Sequence, residues 1–522
     1  MSTPISPLSA PIIVSGPIQD TSISSPKATG PISVVLREHQ KNTFDKVLTH
    51  SLSRSFHFNT SPTGTGKTPF LIKLAQRFGY FMIITGPASI EPNWNKECRK
   101  YNQPYIFISL NKLGRINAAV QYVTFDENGD ATVTQLFMDL LKNPVYFVID
   151  EAQGTKNDDS NCTNACYAMA AAIRKLNNGS RMACLSATQF DKEEQIETAF
   201  KMMGVMTAKD LFKYELGNRR YLIDGYGYSQ IVEYCRKLDP VTTNILELSP
   251  SEYTAKKIRY AVYCMFVQII KPIYTFAMPL PNIPAKFIPF HINYKVTGTE
   301  FDNIKAAVRD MRAVTGFDDE GSLDPSLKIG AVNKAFAQVE YSKVGLFTRI
   351  SKEKLDSDPN CKVVIYVWQD KLGTVDELLK NLAAYGPLRC DGKVNPARRE
   401  QYKELFNAHD NKYRVIIAKP TAFGVGHSLD DTSPDGSFKR HFFISPYYNF
   451  EKIHQAAGRG YRATTTSDVT CTLVYVAGTE EAGIINALVA KKQVTKDVTA
   501  TNDEIPNNKV IYPGEYPIYY EN

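Results

Sequence analysis

Short apolar runs alternate with helical patterns along most of this 522-residue chain. Each run is bounded by polar or turn-forming residues, which is typical of strands in a parallel sheet covered on both faces. The runs are YFMIITG (80–86), VYFVID (145–150), MACLSAT (182–188), KVVIYVW (362–368), RVIIAKP (414–420), RHFFIS (440–445) and TCTLVYVAG (470–478). Strand–helix alternation of this kind predicts an α/β fold with parallel sheets.

The strands fall into two groups, and the segment between them is mostly helical with one proline-rich passage. A chain of this length is too long for one ordinary core. The sequence therefore predicts two α/β lobes joined by a mostly helical insert. The predicted divisions are a disordered arm (1–31), a first lobe (32–215), a helical insert or connector (216–345), a second lobe (346–495) and a tail (496–522).

Net charge and cysteine content indicate which binding partners and which cellular compartment the chain suits. The 61 Lys and Arg exceed the 54 Asp and Glu by 7, an excess that permits a polyanionic partner without demanding one. None of the nine cysteines forms a CxxC pair, which favours reduced thiols in the nucleus or cytoplasm. The first residues lack a basic segment, and no apolar stretch reaches about 18 residues, so we expect neither a signal peptide nor a membrane partner.

A phosphate-binding loop is predicted at SPTGTGKT, which follows an aromatic-rich strand and precedes a helical pattern. Gly64 and Gly66 let the backbone, including Thr65, turn its N–H groups toward phosphate oxygens. Lys67 would reach the β- and γ-phosphates, and Thr68 would offer its hydroxyl to Mg²⁺. The first residue is serine where the general pattern has glycine. Such a short match also arises by chance, so its context matters.

Two carboxylates follow the run VYFVI directly. Asp150 and Glu151 would lie at the carboxyl end of a buried strand, which is the ligand-binding edge of a parallel sheet. There Asp150 can hold Mg²⁺, and Glu151 can polarise an attacking water. An acidic loop after a strand is the alternative reading. A neighbouring phosphate loop favours the metal site.

Later motifs decide among the many classes of nucleotide-hydrolysing protein. They are LREHQ (36–40), ITGPASIEPNWNKECRKY (84–101), LSAT (185–188), KVVIYVW (362–368), RCDGKVNPARREQYKELFN (389–407), IIAKPTAFGVGHSL (416–429) and HQAAGRGYR (454–462). As an ordered set covering about 430 residues, they resemble superfamily 2 helicases and translocases. Three of them, PASIEPNWNKE, DGKVNPARREQYKELFN and QAAGRGYR, look most like the SWI/SNF-type branch and its viral relatives, such as the poxvirus-type nucleoside triphosphate phosphohydrolases.

Other features depart from that branch and leave it open. SPTGTGKT is closer to the DEAD- and DEAH-box form. LSAT replaces the threonine–glycine–threonine of remodellers, and DEAQ ends in Gln153 where many relatives have histidine.

The resemblance implies two RecA-like lobes with ATP and Mg²⁺ as cofactors. It assigns adenine contact to Gln40, helped by Arg37. It assigns coupling between nucleotide and nucleic acid to a set of residues from both lobes: Gln153, Ser186, Ala187, Thr188, Gly424 and Gly426.

The second lobe would complete the nucleotide site. Gln455, Arg459 and Arg462 would approach the γ-phosphate, although Arg459 is 392 positions (459 − 67) from Lys67. An arginine supplied across a cleft can be worth about 10³–10⁵ in the rate of phosphoryl transfer. Hydrolysis would then require closure of the lobes. The alternative is that Arg459 and Arg462 are simply spaced arginines on the surface of a helix.

The resemblance implies an ATP-dependent nucleic-acid translocase or helicase, with DNA favoured over RNA. The alternative is an ATPase-driven transcription factor that acts on RNA polymerase complexes in termination or transcript release, without processive unwinding. A catalytically silent scaffold is disfavoured, because the residues expected for hydrolysis are all present. The compact motor fits a viral or plasmid-borne protein, and thus a viral factory or virion as its location.

Overall fold

The computed structural model describes most of both predicted lobes. The described residues are 31–115, 122–155, 157, 160–187, 190, 192–217, 219–315, 329–423, 428–447, 450–479, 481 and 518–520. All but Pro31 of the predicted arm, and all but 518–520 of the predicted tail, lie outside them.

Every apolar run selected from the sequence coincides with a strand. The strands are β1 (Phe56–Asn59), β2 (Phe81–Gly86), β3 (Tyr105–Ser109), β4 (Val123–Phe125), β5 (Ala131–Val133), β6 (Val145–Asp150), β7 (Arg181–Leu185), β8 (Lys213–Glu215), β9 (Arg220–Leu222), β10 (Thr275–Phe276), β11 (Phe287–Tyr294), β12 (Lys362–Tyr366), β13 (Pro387–Cys390), β14 (Val415–Ala418), β15 (Arg440–Ile444), β16 (Val469–Val476) and β17 (Ile518–Tyr520).

The helices lie between these strands and in the middle segment. They are α1 (Glu38–Ser53), α2 (Lys67–Phe78), α3 (Glu91–Lys100), α4 (Leu110–Leu113), α5 (Gln135–Leu140), α6 (Asn161–Leu176), α7 (Ile196–Met203), α8 (Gly227–Leu238), α9 (Pro240–Leu246), α10 (Ala255–Met265), α11 (Lys271–Tyr274), α12 (Gly298–Thr315), α13 (Ile329–Ser342), α14 (Val344–Ser357), α15 (Thr374–Asn381), α16 (Pro396–Asn407), α17 (Pro420–Phe423) and α18 (Phe450–Ala457).

Two parallel sheets organise the chain. The first has six strands in the order β10-β1-β7-β6-β2-β3, and the second has seven in the order β13-β14-β12-β15-β16-β11-β17. All pairings within these two sheets are parallel, whereas β4–β5 and β8–β9 form small antiparallel hairpins. The predicted fold class, two α/β lobes with parallel sheets, is confirmed.

Burial on both faces explains why the strands read as continuous apolar runs. In β6, Tyr146 and Val148 belong to a core shared with α1, α2 and α3. Their neighbours Phe147 and Ile149 belong to the core on the opposite face, which includes α6 and α7. Because successive side chains point to opposite faces and both faces are covered, no polar alternation remains.

The middle segment divides between the two lobes. Helices α8, α10 and α11 contribute to the core of the first sheet, up to Tyr274. Helices α12 and α13 contribute instead to the core of the second sheet. The passage from one sheet to the other is the proline-rich segment 277–286. The domain boundaries at 215 and 345 stay predictions, but the cores on either side of this segment are distinct.

Two findings concern membrane spans and the state of the cysteines. Across the described ranges, no helix is long and apolar enough to cross a membrane. All nine cysteines, each inside those ranges, are free thiols. The expected reducing compartment stays a prediction.

Candidate active site

The phosphate loop joins β1 to α2 through two glycines in the left-handed region. Gly64 has φ +83° and Gly66 has φ +86°, conformations that residues with a Cβ rarely adopt. Lys67, at the start of α2, donates its Nζ to the carbonyls of Ser61 (2.9 Å) and Pro62 (3.3 Å). Burial lowers the pKa of Lys67, while the carboxylates of Glu151 and Asp150 oppose that shift. The loop thus holds the ammonium group of Lys67 against its own backbone carbonyls.

Gln40 braces this loop from α1. Its Nε2 donates to the carbonyls of Thr65 (2.9 Å) and Gly66 (3.2 Å), and its Oε1 accepts the backbone N–H of Arg37 (2.9 Å). His39 adds a contact of 3.0 Å between its Nε2 and the Thr65 carbonyl. In this arrangement the amide of Gln40 faces the loop backbone. Adenine contact by Gln40 and Arg37 stays a prediction.

Asp150 ends β6, the neighbour of β7 and β2 at the centre of the first sheet. Its Oδ2 accepts the indole N–H of Trp94 at 2.8 Å, and its Oδ1 accepts the backbone N–H of Glu151 at 2.9 Å. Burial and the adjacent Glu151 raise the pKa of Asp150 to about 6, against the opposing charge of Lys67. The carboxylate is therefore held in a fixed orientation close to the phosphate loop.

Thr68, the second predicted metal ligand, is also held from α3. Its hydroxyl accepts a long hydrogen bond of 3.4 Å from Nδ2 of Asn93. Asn93 and Trp94 are adjacent, so one turn of α3 contacts both oxygens assigned to Mg²⁺. Sequence reasoning gave neither residue a role. The only signal for them in the sequence is their position within PASIEPNWNKE, a motif that carries the resemblance.

Glu151 lies in a strained backbone conformation and receives two amide donors. Its φ is +52°, which is uncommon for a residue with a side chain. Its Oε2 accepts Nε2 of Gln153 at 2.5 Å and Nε2 of Gln455 at 3.0 Å. Gln455 belongs to α18 in the second lobe, 304 positions further along the chain. The predicted base is thus contacted from both lobes.

The two predicted arginines follow α18 and face the first lobe. Arg459 is 4% exposed. Burial lowers its pKa to about 10, with a further contribution from Arg462 and opposition from Glu151. Burial likewise lowers the pKa of Arg462. Gly64 lies so close to Arg462 that an added Cβ would stand 3.4 Å from the Cα of that arginine. These side chains therefore border the phosphate loop rather than a free helix surface.

The residues predicted to couple nucleotide to nucleic acid are only partly described. Ser186 is buried and donates its backbone N–H to the Asn59 carbonyl at 3.1 Å, next to the phosphate loop. Ala187 is half-buried beside it. Thr188, Gly424 and Gly426 lie outside the described residues. Their coupling roles stay predictions.

The arrangement brings a phosphate cradle, two carboxylates and two arginines together in one site. The glycines leave room where a Cβ would intrude, Lys67 and the arginines supply positive charge, and Asp150 with Thr68 offers the oxygen ligands that Mg²⁺ prefers. These residue types fit a nucleoside triphosphate with its metal. Charge distributed in this way can stabilise the equatorial oxygens of a phosphoryl group in transfer.

Comparison with known proteins gives one curated relative of interest. No protein-family model matches the chain. The chain is similar to the DNA repair protein RAD5 of Debaryomyces hansenii, with 26% identity over 168 residues. The match spans 31% of this chain and 14% of that relative.

A solved structure is similar over most of the chain but only loosely. It is the Sulfolobus solfataricus SWI2/SNF2 ATPase core in complex with dsDNA, which matches 91% of this chain and 100% of that chain at 13% identity. Its TM-score is 0.28. The ordered motifs and the two parallel α/β lobes that share this site make the chain similar to superfamily 2 helicases and translocases.

Proposed function

We propose that the chain is a nucleic-acid-dependent ATPase that translocates on DNA. The observation that carries this proposal is the hydrogen bond of 3.0 Å from Gln455 in the second lobe to Glu151 in the first. It joins the predicted water-polarising base to the segment that carries both arginines. A site assembled from two lobes can be completed or broken by their relative movement, which is what a motor requires.

The residues have distinct chemical tasks in this proposal. Gly64, Gly66 and Lys67 hold the phosphates of ATP, and Thr68 and Asp150 hold Mg²⁺. The metal, when bound, neutralises charge on the phosphate oxygens. Glu151 orients the attacking water and accepts its proton.

The arginines of the second lobe would act on the same phosphoryl group. Arg459 and Arg462 place positive charge where the transition state spreads negative charge over its equatorial oxygens. Because the two lobes contribute different parts, hydrolysis is coupled to their closure and release of phosphate to their opening. A nucleic-acid strand held by both lobes would be gripped and released in turn.

DNA is the favoured track for this motor. The curated relative is, by its name, a DNA repair protein, and this supports DNA over RNA. Contacts with phosphates on both lobes would be largely independent of sequence and would weaken as salt rises. Loss of stimulation above roughly 200 mM salt is therefore expected.

One assay tests the proposal directly. Phosphate release is measured with no nucleic acid, single-stranded DNA, duplex DNA and RNA side by side. We expect DNA to stimulate hydrolysis, Lys67→Ala to abolish nucleotide binding, and Arg459→Ala to retain binding while losing about 10³-fold or more in turnover. Hydrolysis at background with every nucleic acid would overturn the proposal in favour of a scaffold.

Two further measurements separate the kinds of motor. Displacement of a third strand from a triplex indicates duplex translocation, whereas separation of a duplex indicates unwinding. The transcription-factor alternative stays a prediction, since no contact among the described residues favours it. It would be supported by hydrolysis that responds to a stalled polymerase complex but not to DNA alone.

A further inference from the structure

The described residues pass from the first sheet to the second through one short segment, 277–286, which contains neither helix nor strand. Pro279, Pro281 and Pro284 lie within it. Each proline fixes its own φ and restricts the residue before it to extended conformations. The connection between the lobes is therefore stiffer than its lack of regular structure suggests.

The first end of this connection is bonded to the phosphate loop. The backbone N–H of Met278 donates to Oγ of Ser61 at 2.8 Å, and both residues are fully buried. Ser61 Oγ in turn donates to Oδ1 of Asn59 at 2.5 Å. The backbone N–H of Thr60 donates to the Phe276 carbonyl at 2.9 Å. The serine that departs from the general loop pattern thus adds a side-chain attachment to the pairing of β10 with β1, and Thr43 Oγ1 donates to the Ala277 carbonyl at 3.2 Å at the same end.

The second end is bonded to the segment that carries the arginines. Tyr461 lies between Arg459 and Arg462, and its hydroxyl donates to the Ala285 carbonyl at 2.9 Å. The next residue, Lys286, donates its backbone N–H to Oδ1 of Asp468 at 2.7 Å. One end of the connection is therefore bonded to the phosphate-loop half of the candidate active site, and the other end is bonded to the arginine half.

The geometry limits how far those halves can separate. Seven residue steps (285 − 278) join Met278 to Ala285. A fully extended chain spans at most about 3.3–3.6 Å per residue, or roughly 23–25 Å in all. While both attachments hold, the phosphate loop and the arginine segment can rotate about this span but cannot move apart beyond it.

We propose that segment 277–286 is a strut that positions the arginines over the phosphate loop, and that Ser61 and Tyr461 are positioning residues for hydrolysis. This inference rests on the proposed function. Neither side chain is required to contact ATP. Each acts by fixing the position of one end of the strut on its own half of the site, next to the strand pairing of β10 with β1 or of β11 with β16.

The test compares Ser61→Ala, Tyr461→Phe and the double variant in the full-length chain. Ser61→Ala removes the bonds of Oγ with Met278 and Asn59, and Tyr461→Phe removes the bond with Ala285, in both cases without adding bulk. We expect the affinity for a fluorescent ATP analogue to stay within about twofold and the turnover at saturating ATP and DNA to fall several-fold. The losses of the two single variants should be less than additive in the double variant, because both side chains act on the same strut.

The chain supplies matched controls for both changes. Ser180 repeats the arrangement of Ser61: its Oγ donates to Oδ1 of Asn178 at 2.6 Å and accepts the backbone N–H of Val145 at 2.9 Å. Tyr80, like Tyr461, donates its hydroxyl to a backbone carbonyl, that of Gly179 at 2.8 Å. Ser180→Ala and Tyr80→Phe should lower thermal stability comparably and leave turnover unchanged.

A distance measurement tests the strut without relying on hydrolysis. Donor and acceptor dyes are placed by unnatural amino acids at exposed Leu52 of the first lobe and exposed Leu372 of the second. Without nucleotide, the distribution of distances should broaden in Ser61→Ala and Tyr461→Phe but not in the controls. An unchanged distribution, or equal loss of turnover in variants and controls, overturns the inference. A wild-type chain that does not hydrolyse ATP overturns the proposed function alone.

Discussion

The indole N–H of Trp94 donates to Oδ2 of Asp150 at 2.8 Å, although the two residues are 56 positions apart. Trp94 is fully buried, and Asp150 is the carboxylate to which the metal is assigned. A hydrogen bond to a charged group contributes about 1.5–3 kcal/mol. The bond also leaves the carboxylate few alternative orientations, so α3 takes part in shaping the predicted Mg²⁺ site.

Trp94→Phe should therefore weaken the response to Mg²⁺. Partners that orient metal ligands typically contribute about 10–100-fold in metal affinity or activity. We expect a shift of that size in the Mg²⁺ concentration for half-maximal hydrolysis and for Mg²⁺-dependent nucleotide binding. Binding of nucleotide without Mg²⁺ should change little.

Trp368→Phe is the control for this change. Trp368 is the other tryptophan of the chain. It is likewise buried and donates its indole N–H to the Ser445 carbonyl at 2.8 Å, in the second lobe. Equal Mg²⁺ dependence of both variants would contradict a specific role for Trp94.

Gly66→Ala should disrupt the phosphate loop for two separable reasons. Its φ of +86° strains any residue with a Cβ, and the added atom would stand 2.6 Å from Nε2 of Gln40. Strain of this kind costs about 1–3 kcal/mol. We expect loss of stability in chemical denaturation and loss of ATP binding by calorimetry.

Gly79→Ala separates the two causes, because Gly79 ends the same helix at φ +70° and has no atom within 4 Å of an added Cβ. It should lower stability with ATP binding retained. Adding Gln40→Ala to Gly66→Ala should recover part of the stability by removing the collision. If Gly79→Ala abolished ATP binding as well, the loop argument would be wrong.

Gln455→Ala should separate nucleotide binding from turnover. The change removes the donor that reaches Glu151 from the second lobe, while the contact of Gln153 with Glu151 stays within the first lobe. We expect ATP affinity within about twofold of wild type, since the phosphate cradle is intact, and a loss in turnover of tenfold or more, which is about 1.4 kcal/mol. Single-turnover kinetics measures both. A loss of affinity equal to the loss of turnover would place Gln455 in ground-state binding instead.

The sheets could be predicted because their signal is local. A strand such as β6 is a run of apolar residues whichever strands it pairs with. The carboxylates at its carboxyl end therefore fall at the ligand-binding edge of any parallel sheet. The prediction that Gln455, Arg459 and Arg462 approach the γ-phosphate depended on the resemblance, since nothing local joins segments more than 300 positions apart, and it stays a prediction.

The remaining features depend on long-range contacts that leave little trace in sequence. A buried tryptophan such as Trp94 reads as core, and only the fold shows that its N–H meets Asp150. Ser61 read as an imperfect match to a loop pattern, whereas the fold makes it the acceptor for Met278, 217 positions away. The sequence predicts the helices of the middle segment as one insert, because helical periodicity does not reveal which core a helix packs against.

A buried carboxylate in the second lobe should make stability depend on pH. Glu340 is 1% exposed and accepts the backbone N–H groups of Trp368 (2.7 Å) and Gln369 (2.6 Å). Burial raises its pKa from 4.5 to about 7, against the opposing effects of those N–H groups and of Lys343. Between these pH values the folded chain keeps a proton that the unfolded chain has released. The free energy of unfolding should therefore fall as pH rises through this window.

Glu340→Gln removes this titration. Wild type should lose up to roughly 3 kcal/mol more than the variant between pH 4.5 and 7.5. The measurement is the urea midpoint at several pH values, read as a difference between the two proteins. The urea midpoint of the variant should be lower than that of wild type at low pH, since an amide cannot accept both N–H groups through two oxygens. Its midpoint should, however, change less with pH. Glu353→Gln, at an exposed position on α14, should leave the slope unchanged. Parallel pH profiles for wild type and Glu340→Gln would show that Glu340 is ionised throughout.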